Sequence, residues 1–345
     1  MRILSICKAS TEIGLGHLIR SRAMAEAASA RHEVRFIVIG GEMARKLLAG
    51  CGFPAKVVPD EAGLEEHVVG TFDAAFLDML SLGEEPMAQV RRRARLCVSL
   101  CPIFDRMAEM DLLFSRTRYS HPASEKAGVE RYLGLEYAVI RKECVRIATK
   151  EYKGVLSRST LPIAISMGGG DAANKTRRFL KSLRTCRVPA TFWVLVGEGY
   201  NHSYDALINT IERDRGHEII LAKTNMSMWH ILRNCVLAIL PGGVTTYEAA
   251  FAGLPSVNML EARDQSFLIR ELAEAGACID AGLVSDANLR RLNLLVERLH
   301  RDRGALLRMH ERAKPLIDGK GCERILRVTE RALSGKGERK AGRAA

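Results

Sequence analysis

Three times, the chain passes from a short apolar run through a glycine turn into a helical pattern. The apolar runs are residues 2–7, 163–167 and 236–240, and the turns contain Gly14 and Gly16, Gly168 to Gly170, and Gly242 with Gly243. Apolar runs followed by helices are typical of parallel β-α units. In open α/β sheets, ligands bind at the carboxyl ends of the strands, where helix N-termini attract anions such as phosphate. The sequence therefore predicts an α/β fold with ligand-binding turns.

The turn after the third apolar run carries the most chemical detail. It reads Pro-Gly-Gly-Val-Thr-Thr-Tyr-Glu from residue 241 to residue 248. Two glycines let the backbone approach a ligand, and Glu248 in the first helical turn offers a carboxylate to ribose hydroxyls. The alternative is an ordinary strand-to-helix turn with threonine caps. None of the three turns is a GxGxxG fingerprint or a P-loop, so neither motif supports nucleotide binding.

The alternation of strand and helix extends along most of the chain. Predicted strands are 2–7, 34–39, 74–78, 96–100, 112–114, 163–166, 191–195, 218–222, 236–239 and 256–259. Predicted helices are 18–28, 42–49, 84–95, 176–184, 202–213, 226–233, 246–252 and a stretch over 288–333 that is interrupted near 315–321. A charged segment, 140–160, separates two similar halves. We predict two doubly wound, Rossmann-like domains over 1–150 and 151–333 with a ligand cleft between them, followed by a basic disordered tail over 334–345.

The composition is that of a soluble globular protein with a basic surface. The chain has 345 residues, 47% hydrophobic and 27% charged, and no apolar stretch approaches the roughly 18 residues of a membrane span. Its net charge of +12 comes partly from the tail and partly from an arginine cluster over residues 91–95. We interpret that cluster as a solvated helix face that is also compatible with peripheral membrane contact. Aromatic residues make up only 6% and do not alternate with basic ones, so we expect no nucleic-acid partner.

Cysteine usage and the amino terminus indicate the compartment. Nine scattered cysteines without a CxxC motif favour a reduced, cytoplasmic protein. The short apolar run before Lys8 predicts a first strand and not a signal peptide. No metal-ligand spacing is visible, so we expect neither a metal nor another cofactor. The sequence leaves the oligomeric state open.

Short motifs in a shared order cover almost the whole chain. They are residues 13–17 with Arg20, Asp78, Asp105 and Arg106 with Asp111, 134–141, 167–169 with Asp171 and Asn174, Gly242 and Gly243 with Thr245, Thr246 and Glu248, 253–255, Asp264 with Gln265, and 316–321 with Arg324. With these motifs the chain resembles the UDP-2,4-diacetamido-2,4,6-trideoxy-β-L-altropyranose hydrolase family of pseudaminic acid biosynthesis. The resemblance implies a GT-B fold of two Rossmann-like domains. It also implies a distant relationship to the glycosyltransferase that adds N-acetylglucosamine to a lipid-linked peptidoglycan precursor.

The resemblance implies roles for individual residues. His17 matches the general base that activates the attacking water, and the alternative is a helix-start histidine bonded to backbone. The residues that match the UDP site are Gly168, Gly169, Gly242, Gly243, Thr245 and Thr246 for the diphosphate and Glu248 for the ribose. The residues expected on the substrate side are Gly14, Gly16, Lys8, Asp78, Asn174, Asp264 and Gln265.

Four positions on the substrate side depart from the family pattern. Ile6 and Lys8 stand where the family has an arginine and an aspartate, and Met79 and Leu80 where it has a histidine and a tyrosine. The Lys8 ammonium is expected to lie near His17 and attract an acidic substrate, or else to extend into solvent. We therefore expect a UDP-sugar hydrolase. A glycosyltransferase of surface polysaccharide biosynthesis is the alternative, and a nucleotide-binding pseudoenzyme is a third hypothesis.

Overall fold

The computed structural model describes residues 1–10, 13–121, 124–125, 128–214, 216–224, 228–260 and 265–341, with side chains as far as residue 335. The chain forms two compact units. Unit 1 comprises Met1–Ile13, His17–Ile140 and Gly319–Ala345, and unit 2 comprises Gly14–Gly16 and Arg141–Asp318. Apart from residues 14–16, the chain enters unit 2 at residue 141, ten residues before the boundary predicted from the sequence at 150/151. It returns to unit 1 at residue 319.

Unit 1 contains a parallel sheet of seven strands. They are β1 (Arg2–Ala9), β2 (Glu33–Gly40), β3 (Ala55–Val58), β4 (Phe72–Asp78), β5 (Ala94–Ser99), β6 (Leu112–Ser115) and β7 (Glu130–Leu133). Their order in the sheet is β3-β2-β1-β4-β5-β6-β7. Because the chain adds strands to one side of β1 and then crosses to β4 on the other, the carboxyl ends of β1 and β4 form a topological switch point.

Helices cover this sheet and place side chains at its switch point. They are α1 (Gly16–Ser29), α2 (Glu42–Leu48) and α3 (Glu84–Arg93). α1 follows β1 directly and is buried on the side that carries Leu18, Ser21 and Ala25. The basic last turn of α3, residues 91–93, is exposed as the sequence predicts.

Unit 2 repeats this architecture with a parallel sheet of six strands. They are β8 (Leu161–Ile165), β9 (Ala190–Val196), β10 (Glu218–Lys223), β11 (Leu237–Leu240), β12 (Ser256–Leu260) and β13 (Cys278–Leu283). The helices are α4 (Thr149–Leu156), α5 (Lys175–Ser182), α6 (Tyr204–Glu212), α7 (Trp229–Leu232), α8 (Val244–Ala252), α9 (Ser266–Glu274), α10 (Asp286–Arg301) and α11 (Arg303–Ala313). The sheet order is β10-β9-β8-β11-β12-β13, so its switch point lies between β8 and β11.

The last helix, α12 (Gly321–Ala341), belongs to unit 1 although it follows unit 2 in the chain. Arg324 donates to the Glu136 carbonyl oxygen at 3.0 Å. Gly321 lies so close to Ala138 that a Cβ there would be 2.2 Å from its carbonyl oxygen. Its place in the sequence predicts that this helix belongs to the second domain, because it follows the helices of that domain. The helix also includes 334–341, assigned above to a disordered tail, where alanine, arginine, lysine and glutamate are good helix formers.

Three strands and two α-helices are missing from the sequence prediction: β3, β7, β13, α4 and α9, of which α9 buries only Ile269, Glu271 and Leu272. β3, β7 and β13 are all edge strands, and β3 and β7 expose the charged residues Lys56, Glu130 and Arg131. A strand at an edge needs no continuous apolar run, so the sequence pattern that identifies a strand is weak there. α4 lies within the predicted link 140–160 and buries only Tyr152 and Leu156. The predicted helix 226–233 is observed from Trp229, and residues 225–227 lie outside the described residues.

Two observations concern the compartment predicted from the sequence: the state of the cysteines and the character of the helices. All nine cysteines are free thiols, and seven are buried, as small apolar residues would be. Among the helices of the described chain, none has the length and apolar character needed to cross a membrane.

Candidate functional site

The candidate catalytic residues of unit 1 meet at the switch point between β1 and β4. Asp78 is the last residue of β4, and His17 is the second residue of α1. β1 and β4 are neighbouring parallel strands, with Cys7 paired with Asp78 in the register. The fold therefore brings together two predicted site residues that are 61 positions apart in sequence.

The hydrogen bond between these residues fixes the tautomer of the histidine. His17 Nδ1 lies 2.6 Å from Asp78 Oδ1. A carboxylate oxygen only accepts, so Nδ1 carries a proton and donates it. In the neutral ring, Nε2 is then unprotonated, as a general base requires. The partner of His17 Nδ1 is therefore the carboxylate of Asp78, and not the backbone group considered above as the alternative.

Asp78 is fully buried and is held by a second partner, Arg20. Arg20 Nε donates to Asp78 Oδ2 at 2.7 Å, and the Arg20 Nη2 group donates to Oδ1. Ser21 Oγ also donates to Oδ2, at 3.1 Å. Burial raises the pKa of Asp78, but the Arg20 guanidinium and the His17 ring outweigh it and hold that pKa well below its usual range. Asp78 is therefore an anion that orients His17.

Cys101 completes this cluster from the loop after β5. Its Sγ lies 3.3 Å from Asp78 Oδ1 and 3.8 Å from His17 Nδ1. The ligand-type atoms of His17, Asp78 and Cys101 all lie within 4.8 Å of one another, the spacing of a metal site. Their surroundings do not fit a divalent cation, because the Arg20 guanidinium occupies both Asp78 oxygens. In addition, burial raises the pKa of the Cys101 thiol, and a thiol must lose its proton to bind a metal.

The structure gives Lys8 a partner that the sequence analysis did not identify. Its ammonium is ion-paired with Glu61 at 2.5 Å. Burial raises the pKa of Glu61, but Lys8 and the backbone amide of Gly83 lower it by more. The net shift of the Glu61 pKa is therefore downward. Glu61 thus compensates the positive charge of Lys8 within unit 1, and the attraction of Lys8 for an acidic substrate stays a prediction.

The other substrate-side positions in the amino-terminal part of the chain are a turn and an apolar loop. Gly14 has φ +84°, a left-handed conformation that favours glycine, and Gly16 is the first residue of α1. Met79 is buried, whereas Leu80 is 48% exposed. The Leu80 carbonyl accepts a hydrogen bond from the amide of Phe104, another exposed apolar residue, at 3.0 Å. The loop beside Asp78 is therefore apolar where the family has histidine and tyrosine.

In unit 2, the predicted glycine turns lie at the switch point between β8 and β11. Gly168 and Gly169 follow β8, and a Cβ on Gly168 would lie 3.8 Å from Pro241, which follows β11. The Gly169 carbonyl accepts the Gly199 amide at 3.0 Å, which ties in the turn after β9. The fold thus brings together two of the three turns identified from sequence, with partly exposed glycines at both.

The turn after β8 is also braced by its own polar residues. Asp171 Oδ1 accepts the Lys175 amide at 2.7 Å, and Oδ2 accepts the Thr176 amide at 2.9 Å, so this carboxylate caps α5. Asn174 accepts the Tyr200 hydroxyl at 3.0 Å. Both Asp171 and Asn174 have φ near +45°, at 45° and 47°. Positive φ in non-glycine residues is costly, and such strain is concentrated at functional sites.

The turn after β11 contains partly exposed residues and, beneath them, fully buried ones. Gly242 has φ +79°, Gly243 is the N-cap of α8, and Thr245 is half-buried. Thr246 is fully buried and donates to Asn258 Oδ1 at 2.7 Å. Its hydroxyl is therefore engaged inside unit 2.

Glu248 is also fully buried, in an ion pair that the sequence analysis did not predict. Both of its carboxylate oxygens accept from Arg141, each at 2.6 Å. A contact between Glu248 and a ribose would require this buried pair to be exposed. The ribose role stays a prediction, and so does a sugar-side role for Gln265, which is the N-cap of α9. Asp264 lies outside the described residues.

The partners that sequence reasoning missed are Arg20, Glu61, Cys101 and Arg141. Arg20 alone carries a local signal, because it follows His17 by three positions on one helix and so shares its face. Arg141 and Glu248 are 107 positions apart, and Lys8 and Glu61 are 53 apart. No pattern of local spacing identifies pairs at those separations.

Comparison with solved structures defines the class of fold. The chain is similar to MurG of Acinetobacter baumannii, with a TM-score of 0.66 and 16% identity over 96% of this chain and 100% of that one. It is similar to Anabaena Alr3699/HepE in complex with UDP-glucose, with a TM-score of 0.65 and 13% identity over 97% and 100% of the two chains. At these identities the likeness is one of fold. The two parallel-sheet units form a GT-B fold, which confirms the predicted fold class.

Comparison with sequences gives two distant relatives. An uncharacterized protein of Methanocaldococcus jannaschii is 23% identical over 274 residues, 76% of this chain and 56% of that protein. The spore coat polysaccharide biosynthesis protein SpsG of Bacillus subtilis is 25% identical over 202 residues, 57% of this chain and 56% of that protein. The chain thus spans about half the length of the curated relatives it matches. No family model matches it.

Proposed function

We propose that the protein binds a UDP-activated sugar and cleaves its anomeric C–O bond with release of UDP. The observation that carries this proposal is the pair of His17 and Asp78 at a switch point, with Nδ1 and Oδ1 2.6 Å apart. An imidazole oriented by a buried carboxylate has the arrangement of a general base.

The reaction needs one base and a stabilised leaving group. His17 Nε2 takes the proton from the attacking oxygen, which forms a bond to the anomeric carbon. The bond between that carbon and the UDP oxygen breaks, and UDP leaves with the electron pair. Asp78 stabilises the imidazolium that results, as an anion hydrogen-bonded to its Nδ1.

We assign UDP to the glycine turns of unit 2. The open space at Gly168 and Gly243 would let the diphosphate reach backbone N–H groups, and the N-terminus of α8 favours its negative charge. Gly169 and Gly242 complete the two turns, where a Cβ would lie 2.4 Å from Leu15 or Leu260. Thr245 is the proposed side-chain donor. Thr246 and Glu248 then support this turn from the interior through Asn258 and Arg141. Gly14, Gly16, Asn174, Asp264 and Gln265 remain the proposed contacts for the sugar.

The printed names of the similar proteins favour this substrate class. HepE was crystallised with UDP-glucose, and a UDP-N-acetylglucosamine 2-epimerase of Neisseria meningitidis with UDP-GlcNAc, at a TM-score of 0.59 to this chain and 9% identity over 95% of this chain and 99% of that one. SpsG is named for polysaccharide biosynthesis. We therefore place the activity in the biosynthesis of a surface polysaccharide.

Water is the proposed acceptor, which makes the enzyme a hydrolase most like that of pseudaminic acid biosynthesis. The motif resemblance carries this choice. The alternative is a glycosyltransferase with a hydroxyl acceptor, and the exposed apolar residues Leu80 and Phe104 beside Asp78 favour it over a pseudoenzyme.

A panel of UDP-sugars distinguishes these outcomes. The protein is incubated with each sugar nucleotide in ¹⁸O-labelled water, with and without candidate acceptors, and the products are analysed by mass spectrometry. Labelled free sugar and UDP without an acceptor identify a hydrolase, whereas UDP release only with an acceptor identifies a transferase.

His17→Asn is the matched variant for this assay. We expect it to lose a factor of about 10² to 10⁴ in turnover while it keeps its affinity for UDP, since general-base catalysis contributes about that much. Near-normal turnover would remove His17 from catalysis. If calorimetry detects no UDP binding by the wild type, the nucleotide assignment is wrong.

A further inference from the structure

A buried cation lies against the proposed catalytic pair. Arg20 is only 6% exposed, and its guanidinium binds both oxygens of Asp78. The same guanidinium approaches the histidine, with 3.3 Å between Arg20 Nη2 and His17 Nδ1. This second contact is not a hydrogen bond in the neutral ring described above, because Nδ1 already carries the proton donated to Asp78.

Among the described residues, the other groups that the structure places against Asp78 are uncharged. Ser21 offers a hydroxyl from α1, Cys101 a thiol from the loop after β5, and Cys7 a thiol from β1. Burial, reinforced by the Asp78 charge, raises the pKa of both thiols, which keeps them protonated. Arg116 is a further cation, and its charge acts on Cys101.

A buried carboxylate requires a counter-charge, and two groups here can supply it. Arg20 supplies one permanently, since a guanidinium does not lose its proton in proteins. If Arg20 were absent, the charge of Asp78 would favour protonation of His17, and an imidazolium has no lone pair with which to act as a base.

We propose that Arg20 is a positioning residue that neutralises Asp78 and thereby keeps His17 an uncharged base. Arg20 fixes the carboxylate so that Oδ1 faces Nδ1, and it opposes a second positive charge on the ring. Substrate then meets an unprotonated Nε2. The proposal rests on the general-base role of His17 proposed above.

The test uses the protein without any substrate. In protein labelled with ¹⁵N in its histidine rings, NMR reports the tautomer and the protonation of His17 as a function of pH. In the wild type we expect the neutral form of the ring to carry its proton on Nδ1. In Arg20→Met, the ratio of imidazolium to imidazole at a given pH should rise by about tenfold or more, because removal of a neighbouring cation has effects of that size.

Two further variants separate positioning from folding. Arg22→Met removes another arginine of α1, whose Nε lies 3.0 Å from Glu26 Oε1. This variant should leave the His17 signals unchanged. Arg20→Met combined with Asp78→Asn removes both charges. It should show no more imidazolium than the wild type and should lose the Nδ1–H preference. Because the reference is the wild type, this variant tests the proposal even if Arg20→Met alone does not fold.

The outcomes are decisive independently of turnover. If His17 in Arg20→Met titrates as in the wild type, or if the double variant retains the excess imidazolium, the proposal is wrong. A wild-type ring with its proton on Nε2 would also overturn it. If no UDP-sugar is turned over, the proposed function fails, while the NMR result still decides the role of Arg20.

Discussion

At the scale of single residues, the site is defined by which charge is paired with which. Asp78 is a buried anion shared by a cation and a histidine, Lys8 is neutralised by Glu61, and Glu248 by Arg141. Buried charges without a partner are costly, so each pair constrains what substitutions the protein tolerates.

Asp78→Asn should impair catalysis more than binding. An amide can donate to Nδ1, which stabilises the tautomer with the proton on Nε2 and removes the base. We expect turnover to fall by about 10² to 10⁴ with UDP affinity unchanged. Asp73→Asn, at a partly exposed position of the same strand, is the control. Turnover retained in Asp78→Asn would show that the carboxylate does not orient His17.

Glu248→Ala should destabilise the fold. It leaves Arg141 as a buried charge without its partner, a change that costs about 3–5 kcal/mol. Glu274→Ala breaks an exposed ion pair with Arg270 and should cost less than about 1 kcal/mol. Urea unfolding measures both. Equal losses in the two variants would contradict the structural role of the buried pair.

The ribose role of Glu248 is tested separately with Glu248→Gln, which keeps the shape of the side chain. If Glu248 binds the ribose, UDP affinity should fall about tenfold, the effect of losing a charge-assisted hydrogen bond. Calorimetry that finds wild-type affinity in this variant would assign Glu248 to support of the turn alone.

At the scale of elements, the nucleotide turns depend on close contact between loops. The turns after β8 and β9 meet backbone to backbone, and a Cβ on Gly197 would lie 2.6 Å from the Gly169 carbonyl oxygen. Only glycine fits there without a shift of the turn. The shape of the proposed diphosphate site is thus set by a residue of the neighbouring turn.

Gly197→Ala should therefore displace the turn at Gly169 and weaken UDP binding by roughly tenfold, about the loss of one hydrogen bond to a charged group. Gly154→Ala is the matched control, because a Cβ there has no atom within 4 Å and alanine favours the helix α4. Calorimetry compares the two. Unchanged UDP affinity in Gly197→Ala would place the diphosphate elsewhere.

At the scale of the whole molecule, the buried His310 and the partly buried His300 and His32 make stability depend on pH. Burial is the main cause that lowers the pKa of His310, His300 and His32 from the usual 6.5. His310 is fully buried, with its ring 4.2 Å from that of Tyr152. A lowered pKa means that the unfolded chain binds more protons than the folded one, so stability decreases as pH falls.

We expect the free energy of unfolding to be highest above about pH 6.5, the unperturbed histidine pKa, and to decrease on acidification below it. Urea unfolding at about pH 7.5 and about pH 6 measures the change on either side of that value. His310→Gln retains an amide donor for the Gly253 carbonyl and should reduce the pH dependence. Stability that rises on acidification over this range would contradict the assignment.

The sequence by itself determined the parallel α/β architecture and the turns where ligands are proposed to bind. Apolar runs and glycine turns are local signals, and the ten predicted strands are all present among the described residues. The edge strands β3, β7 and β13 were missed because solvent exposure removes the apolar pattern that marks a buried strand.

Only the tertiary structure decided the partners of the charged residues and the place of the last helix. Asp78 is 58 positions from Arg20, and Glu248 is 107 from Arg141, so their pairing follows from strand order and not from spacing. The same holds for α12, which lies in unit 1 because its apolar face and Arg324 find their contacts there. Local patterns specify elements, whereas the burial of charge selects partners only after those elements are assembled.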